Sequence, residues 1–305
     1  MGSATSKDRY ERAATTGILT LDKGSVASWS SLAKGLKGLP SLRTMTITHN
    51  TLRDPVPAAF TTLSLWGTLV SLDLSHNRLG CACALGSDVP LSKRHVEEAL
   101  TRITGAPRTN ASGDTTRLPL ESLNISANDL HMLPPFLAVR FPRLRRLVCT
   151  DNKRALEVPL SLARCIGTSS SLEVVSLERN QLKAFIIADD TSDQPFPALR
   201  ELLLDQNHLN GTVDLGFVAG KEAPVMPSLR RISLNAQTGK EPLRCISPAI
   251  FIHCPGLNSL SFQGNSREEE LHDLLVQSDS YCSWQEQQRA VVNKKLHAGG
   301  QAELI

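Results

Sequence analysis

The stretch Leu69-Val-Ser-Leu72-Asp-Leu74-Ser-His-Asn77 decides how this chain of 305 residues folds. It fits the pattern L-x-x-L-x-L-x-x-N, in which aliphatic side chains and one asparagine recur at fixed spacing. Three other stretches fit the pattern closely: Leu42-Arg-Thr-Met45-Thr-Ile47-Thr-His-Asn50, Leu120-Glu-Ser-Leu123-Asn-Ile125-Ser-Ala-Asn128 and Leu199-Arg-Glu-Leu202-Leu-Leu204-Asp-Gln-Asn207. Looser copies begin at Leu144, Leu172 and Leu229, and a terminal copy runs from Leu257 to Asn265. This repetition predicts one structural unit used many times.

The distances between the copies support the same interpretation. The asparagine-equivalent positions are 50, 77, 128, 152, 180, 207, 237 and 265, and the gaps between them are 27, 51, 24, 28, 27, 30 and 28 residues. All gaps but one are close to one turn of a leucine-rich repeat, roughly 20 to 29 residues. The pattern therefore predicts an α/β leucine-rich repeat solenoid. The curved parallel sheet would line the concave side, and helices and irregular turns would form the convex side.

Within each copy, the alternation of residue types predicts a short strand. Leu72 and Leu74 would point into the core, whereas Ser71 and Asp73 would point out of it. The asparagine that follows the strand can bond the backbone of the bend and of the adjacent turn through its buried amide. Gln237 stands at this position in one copy, and its longer stem predicts a distorted bend there.

The repeats span residues 18–265 without a linker, which predicts one elongated unit. A degenerate opening turn begins at Leu19. Residues 1–17 are predicted to form a flexible N-terminal arm, and the long gap holds either a decayed repeat or an insertion at about residues 81–117. Residues 266–305 would form a helical C-terminal cap and tail.

Two S-x-x-E patterns, Ser266 with Glu269 and Ser283 with Glu286, predict the starts of two cap helices. A solenoid needs such caps because each turn buries its apolar side only against its neighbours. Tyr281 and Trp284 would cover the exposed end of the last turn.

Composition narrows the function classes. The net charge is +3 and aromatic residues make up 4% of the chain, so neither a strong general attraction to nucleic acid nor base stacking is expected. The seven cysteines are scattered and odd in number, which favours reduced thiols and a cytoplasmic location. Cys81-Ala-Cys83 lacks the second close pair that tetrahedral zinc needs.

The first residues suggest a lipid signal. Met1-Gly2-Ser-Ala-Thr-Ser6 fits the pattern for N-myristoylation at Gly2. One myristoyl chain binds a membrane only marginally, with an association constant on the order of 10⁴ M⁻¹, so the contact would be weak and reversible. The alternative is an ordinary Met-Gly-Ser start without modification.

The sequence gives no positive sign of an enzyme or of a cofactor. No phosphate loop, nucleophile elbow, zinc-protease motif or dinucleotide-binding glycine pattern occurs. His49 and His76 occupy the same place in successive repeats and would lie about 5 Å apart on neighbouring strands. A metal site or a pH sensor is conceivable there, but without a carboxylate to orient the rings the repeat pattern itself explains the pair better.

The concave sheet is then the surface predicted to function. Its larger and charged outward residues fall in the middle and later turns, where a few side chains could dominate an interface. The predicted partner-binding residues are Arg146, Val148, Glu178, Glu201, Leu203, Asp205 and Arg231. We expect a monomer that binds a protein partner. For any single residue, an ordinary solvated strand position is the alternative.

Three stretches carry a resemblance to a known family. They are Leu19-Thr-Leu-Asp-Lys-Gly-Ser-Val-Ala-Ser-Trp29 leading to Leu39-Pro-Ser-Leu42; Phe196-Pro-Ala-Leu199 followed by Leu202-Leu-Leu-Asp-Gln-Asn207; and the polar cap after Asn265. With them the chain resembles the leucine-rich domain of tubulin-folding cofactor E. The resemblance implies a cytosolic, chaperone-like protein that handles alpha-tubulin during assembly or disassembly of the tubulin heterodimer.

The chain also departs from that family. Its 305 residues contain neither the glycine-rich domain that usually precedes the repeats nor the ubiquitin-like domain that usually follows them, and residues 81–117 have no counterpart. The alternative function is a generic leucine-rich adaptor or regulatory subunit, either phosphatase-regulating or associated with the cytoskeleton or a flagellum. Myristoylation at Gly2 would tether such an adaptor to a membrane.

Overall fold

A parallel β-sheet runs through the molecule, one strand per turn. The computed structural model describes residues 6–52, 63–79, 118–130, 133, 137, 141–152, 160–187, 196–217 and 226–300. Nine described strands form the sheet in chain order: β1 Ile18–Asp22, β2 Thr44–Thr48, β3 Ser71–Asp73, β4 Ser122–Asn124, β5 Arg146–Val148, β7 Val174–Ser176, β9 Glu201–Leu203, β11 Arg231–Ser233 and β13 Ser259–Ser261. Two small parallel pairs lie outside it: β6 Leu160–Ser161 with β8 Phe185–Ile186, and β10 Gly211–Val213 with β12 Leu243–Ile246. The predicted leucine-rich repeat solenoid is confirmed.

The core follows the repeat pattern because the strands pair in register. Met45 lies beside Leu72, which lies beside Leu123, and the same row continues through the later turns. Leu72 and Leu74 are both buried, as the alternation predicts. Each turn therefore completes its apolar core only through the turns on either side.

The buried asparagines link successive turns. The Nδ2 of Asn77 donates to the carbonyl oxygens of Ile47 (2.7 Å) and Leu74 (2.8 Å), and its Oδ1 accepts the N–H of Asn50 (3.1 Å). The residue before each asparagine bends the chain in the left-handed region; His76, for example, has φ of 55°. These buried amides thus satisfy backbone groups that the bend removes from the sheet.

The distorted bend predicted at Gln237 is wrong. Its Oε1 accepts the N–H of Leu209 (3.1 Å), and its Nε2 donates to the carbonyl of Leu204 (2.9 Å). The residue before it, Ala236, has φ of 50°, close to the value at His76. The additional methylene of glutamine is accommodated by the side chain, so the backbone keeps the conformation of the other turns.

The convex side consists of short helices and irregular turns, as predicted. Its helical elements are α2 Trp29–Leu36, the 3₁₀ helix η1 Ser64–Gly67, α3 Leu162–Ile166 and α4 Ala249–His253. Helix α2 begins at a capping box, in which the side chain of Ser28 accepts the N–H of Ser31 and Ser31 bonds back.

The flexible arm predicted over residues 1–17 is wrong for its described part. Residues Ser6–Thr16 form helix α1, which packs against the first turn. Ala13 is buried and Tyr10 packs against the core; three positions apart, they share one side of the helix. Arg9 reaches Asp22 of β1 at 2.9 Å. Because this apolar side is so narrow, a search for leucine periodicity does not detect it.

The helical C-terminal cap is confirmed, but its predicted capping boxes are wrong. Helices α5 Glu268–Val276 and α6 Asp279–Gly300 follow the last strand. Helix α5 begins after Arg267 without a side-chain cap, and Ser283 lies inside α6. Tyr281 is buried and stacks with Trp284, whose Nε1 donates to the carbonyl of Leu257 at 2.6 Å.

Two predicted features lie outside the described residues: Gly2, and the segment of residues 81–117 with its Cys81-Ala-Cys83 motif. Within the described ranges, none of the helices is both long enough and apolar enough to span a membrane.

Candidate protein-binding surface on the concave sheet

The concave side chains form rows across the sheet because neighbouring strands are in register. One row reads Thr44, Ser71, Ser122, Arg146, Val174, Glu201, Arg231 and Ser259. The next reads Thr46, Asp73, Asn124, Val148, Ser176, Leu203, Ser233 and Ser261. Neighbouring strands lie about 4.8 Å apart, so four strands span roughly 15 Å.

The later turns carry a network of polar side chains bonded to one another. The Oδ1 of Asp205 accepts the hydroxyl of Ser233 and the N–H of Asn235, both at 2.7 Å. The Oδ1 of Asn235 in turn accepts the hydroxyl of Ser261 at 2.6 Å. Asp205 therefore links two successive turns, and the partner contact predicted for it stays a prediction.

Glu178 is engaged in a similar way. Its carboxylate accepts the hydroxyl of Ser176 at 2.8 Å. Ser176 and Ser233 lie at outward positions of their strands, yet they are only 2% and 0% exposed. Their small hydroxyls bond to the carboxylates beside them.

The earlier turns are tied in the same manner. Asp73 accepts the N–H of Ser75 at 2.8 Å and the Nδ2 of Asn124 at 3.0 Å. The hydroxyl of Ser126 accepts the N–H of Thr150 at 3.0 Å. These carboxylate, amide and hydroxyl groups thus bond within the protein.

A central patch interrupts this pattern, formed by Arg146, Val148, Val174, Glu201, Leu203 and Arg231. Arg146 and Arg231 are exposed, and Glu201 is half-buried. Within the part of the chain that the structure describes, these three charged side chains have no hydrogen bond or ion pair. The three aliphatic residues are half-buried on the same face. The central patch therefore offers two guanidinium groups, one carboxylate and an apolar surface between them.

The central patch is bordered by basic residues on the side where its strands begin. Arg145 pairs with Glu121 at 4.0 Å and with Glu173 at 3.6 Å, whereas Arg200 is exposed without a described partner. Arg230 is exposed and donates to the carbonyl of Gly256 at 2.9 Å. Together with Arg146 and Arg231, these groups give this border an excess of positive charge.

The predicted proximity of His49 and His76 is confirmed. Their rings stack with centroids 4.2 Å apart and an angle of 8° between the planes. No group of three or more histidine, cysteine, aspartate or glutamate side chains among the described residues could hold a metal ion.

The structure thus brings together five of the seven predicted site residues, and the other two, Glu178 and Asp205, accept hydrogen bonds within the sheet. Arg146, Val148, Glu201, Leu203 and Arg231 lie side by side in the two rows. Val174 joins them, and the sequence alone already placed it between Arg146 and Glu201. Glu178 bonds to Ser176 of its own turn, and Asp205 bonds to Ser233 of the next turn. A serine near each carboxylate in the repeat pattern was the sequence signal that could have predicted these bonds.

No protein-family model matches the chain, and no curated protein matches it. A solved structure that matches is the functional domain of InlJ from Listeria monocytogenes, which includes a cysteine ladder. The identity is 14% and the TM-score 0.36, over 84% of this chain and 55% of that one. The chain thus spans about half the length of the InlJ structure. A likeness of this size gives no basis for transferring a function or a partner.

Proposed function

We propose that this protein is a non-catalytic scaffold that binds a protein partner through the central patch of its concave sheet. The observation that carries the proposal is the contrast between the central patch and the rest of the concave sheet. The carboxylates and amides on both sides of it, such as Asp73 with Asn124 and Asp205 with Ser233, bond within the sheet. The side chains of Arg146, Glu201 and Arg231 have no partner among the described residues. They lie beside the half-buried Val148 and Leu203.

The chemistry of the central patch suits a protein ligand. Arginine is enriched among the residues that dominate protein interfaces, since its guanidinium stacks and forms several directed hydrogen bonds. Leu203 and Val148 would contribute by losing contact with water, at roughly 25 cal/mol for each Å² of apolar surface buried. The side chains of the concave sheet that are hydrogen-bonded to one another would change little on binding, which lowers the entropic cost of association.

Affinity capture from a lysate tests the proposal. The bait is the full chain, compared with a variant of the central patch that carries Arg146→Glu, Leu203→Ser and Arg231→Glu. All three side chains face away from the core, so the variant is expected to fold. We expect proteins captured by the wild type to be lost with this variant.

A matched control carries Arg244→Glu, Arg289→Glu and Val291→Ser. These residues are exposed on β12 and α6, away from the concave sheet, and the change in net charge is the same. The proposal requires that the control retains the partners that the patch variant loses. Partners that both variants retain or that both lose would contradict it.

The resemblance to tubulin-folding cofactor E makes alpha-tubulin the first partner to test, and it rests on the sequence motifs alone. Purified tubulin heterodimer added to the same three baits gives a direct answer. Binding by the wild type and the control but not by the patch variant would support tubulin handling. No binding by any bait would remove tubulin and leave the generic adaptor.

Myristoylation of Gly2 belongs to the same proposal, as the means of weak, reversible membrane contact by a cytoplasmic scaffold. An intact-mass measurement of the protein from its natural source tests it. The added mass of one myristoyl group, lost on Gly2→Ala, would support the modification; an unmodified N-terminus would refute it.

A further inference from the structure

The last strand of the sheet has an open edge. Strand β13 pairs with β11 on one side, and no described strand pairs with its other side. Helix α5 packs chiefly against β12 and α6 against α4. Trp284 and Gln288 of α6 donate to the carbonyl of Leu257, two residues before β13. The described part of the cap therefore leaves the outer edge of β13 unpaired.

The backbone of β13 shows which groups are available there. The N–H of Ser259 donates to Arg230 at 3.0 Å, and the carbonyl of Ser261 accepts the N–H of Leu234 at 2.7 Å. Alternate residues of a strand direct their backbone groups to opposite sides, so Leu260 and Phe262 face the outer edge. No described residue bonds to the N–H or carbonyl of Leu260 or to the N–H of Phe262. An unpaired edge of this kind is a template for another strand.

The side chains beside this edge are only partly covered. Leu260 corresponds to the buried Ile232 of the preceding turn, yet Leu260 and Phe262 are half-buried. A cleft of about 1000 Å³ opens next to them, and Tyr281 forms part of its lining. In the inner turns the next repeat covers these positions, so the uncovered parts of Leu260 and Phe262 are the apolar surface that a tenth strand could contact in this otherwise polar cleft.

The border of the cleft is acidic. Glu270 pairs with Arg267, and the carboxylate of Glu268 accepts the N–H of Gly264 at 2.7 Å. Glu269 and Asp273 are exposed, and no described residue pairs with either. Two copies of this chain joined edge to edge would bring these carboxylates together, which disfavours self-association. A basic segment would neutralise them.

We propose that the outer edge of β13 binds an extended, basic peptide segment of a partner protein as an added strand. Backbone hydrogen bonds to Leu260 and Phe262 hold the segment, its alternate apolar side chains enter the cleft, and its lysine or arginine side chains face Glu269 and Asp273. This surface lies at the end of the sheet, one strand beyond Arg231 of the central patch.

Selection from a library of random peptides tests the proposal. Peptides of roughly nine residues, within the usual length of strands, are displayed on phage and selected on the immobilised full chain. We expect enrichment of peptides that alternate apolar and basic residues. The strongest peptide, made with a fluorescent label, should bind Glu269→Lys with Asp273→Lys at least about tenfold more weakly than wild type. Glu241→Lys with Glu286→Lys, an equal change of charge elsewhere, should leave Kd within about twofold.

The substitution Phe262→Pro tests the backbone contact, since it removes an N–H on the outer side and leaves the pairing with β11 intact. We expect peptide binding to weaken in a protein whose thermal melting by circular dichroism is still cooperative. If this variant does not fold, the charge-reversed pair Glu269 and Asp273 decides.

Four results would overturn the proposal. They are an unenriched library, enriched peptides without basic residues, an unchanged Kd for the charge-reversed variant, and normal binding by a folded Phe262→Pro protein. A dimer of the free protein in light scattering that Phe262→Pro dissociates would assign the edge to a second copy and would also overturn it.

Discussion

At the scale of single residues, the asparagine at the end of each strand explains why the turns stay in register. Asn180 is buried, and its Nδ2 donates to the carbonyl oxygens of Cys149 (2.8 Å) and Leu177 (2.7 Å). Its Oδ1 accepts the N–H of Asn152 at 2.8 Å. One side chain thus satisfies three backbone groups of the bends, and each group would cost free energy if buried alone.

Replacement of Asn180 by alanine should therefore lower the free energy of unfolding by roughly 3 kcal/mol or more, because a buried unpaired polar group costs about 1 to 3 kcal/mol. The control is Asn258→Ala, whose side chain is exposed and which should change stability by no more than about 0.5 kcal/mol. Urea unfolding followed by circular dichroism measures both. Equal effects of the two substitutions would contradict the structural role of Asn180.

The buried thiols give a second prediction at this scale. Burial raises the pKa of Cys149 and of Cys254 to about 12, so neither thiol ionises appreciably near neutral pH. Cys282 is half-buried at the surface of the cap. Alkylation with iodoacetamide at about pH 8, read out by mass spectrometry, should modify Cys282 well before Cys149 and Cys254. All three should react in urea, and equal rates in the native protein would be inconsistent with this core.

At the scale of elements, helix α1 depends on one ion pair and a small apolar contact. Arg9 donates to the carboxylate of Asp22 at 2.9 Å and to the hydroxyl of Ser25 at 3.1 Å. The hydrogen bond from Arg9 is the main cause that lowers the pKa of Asp22 below its ordinary value of 3.8. A folded-state pKa below that of the unfolded chain stabilises docking at higher pH, and this contribution is lost as pH falls through the folded value.

Asp22→Asn should consequently loosen α1 at neutral pH. Hydrogen exchange of the amides of residues 6–16, corrected for intrinsic rates, should speed up in the variant, whereas Glu241→Gln should leave them unchanged. In the wild type the same protection should fall on acidification below about pH 4, where an unfolded aspartate becomes protonated. If neither Asp22→Asn nor acid changed the protection of the α1 amides from exchange, the ion pair would not be what holds the helix.

The ends of the solenoid were the elements hardest to predict from sequence. The strands followed from the leucine spacing, because every inner turn repeats the same contacts. Helix α1 is held by Ala13, Tyr10 and Arg9, contacts that occur once and leave no periodic signal. The starts of the cap helices were misplaced because Ser283 offers a capping pattern inside a helix that tertiary packing extends back to Asp279.

At the scale of the whole molecule, the repeat pattern predicted the solenoid, the inward residues and most of the central patch. It could not predict which outward side chains are free, since this depends on contacts between turns. Asp205 bonds to Ser233 on the next strand, whereas Glu201, four residues earlier, bonds to no described residue. The central patch thus contains charged side chains that form no hydrogen bonds with neighbouring turns, and these groups are the basis of the proposed function.

The most direct test of this account is the reactivity of single introduced cysteines at neighbouring positions in three turns. Three of the substitutions lie on the concave face: Val148→Cys, Leu203→Cys and Arg231→Cys. The other three replace the neighbouring residues, which are buried between turns: Leu147→Cys, Leu202→Cys and Ile232→Cys. Labelling followed residue by residue with mass spectrometry should modify the first three quickly and the second three only when the protein unfolds. Similar labelling rates for the two cysteines of each neighbouring pair would contradict a core stacked behind an accessible concave face.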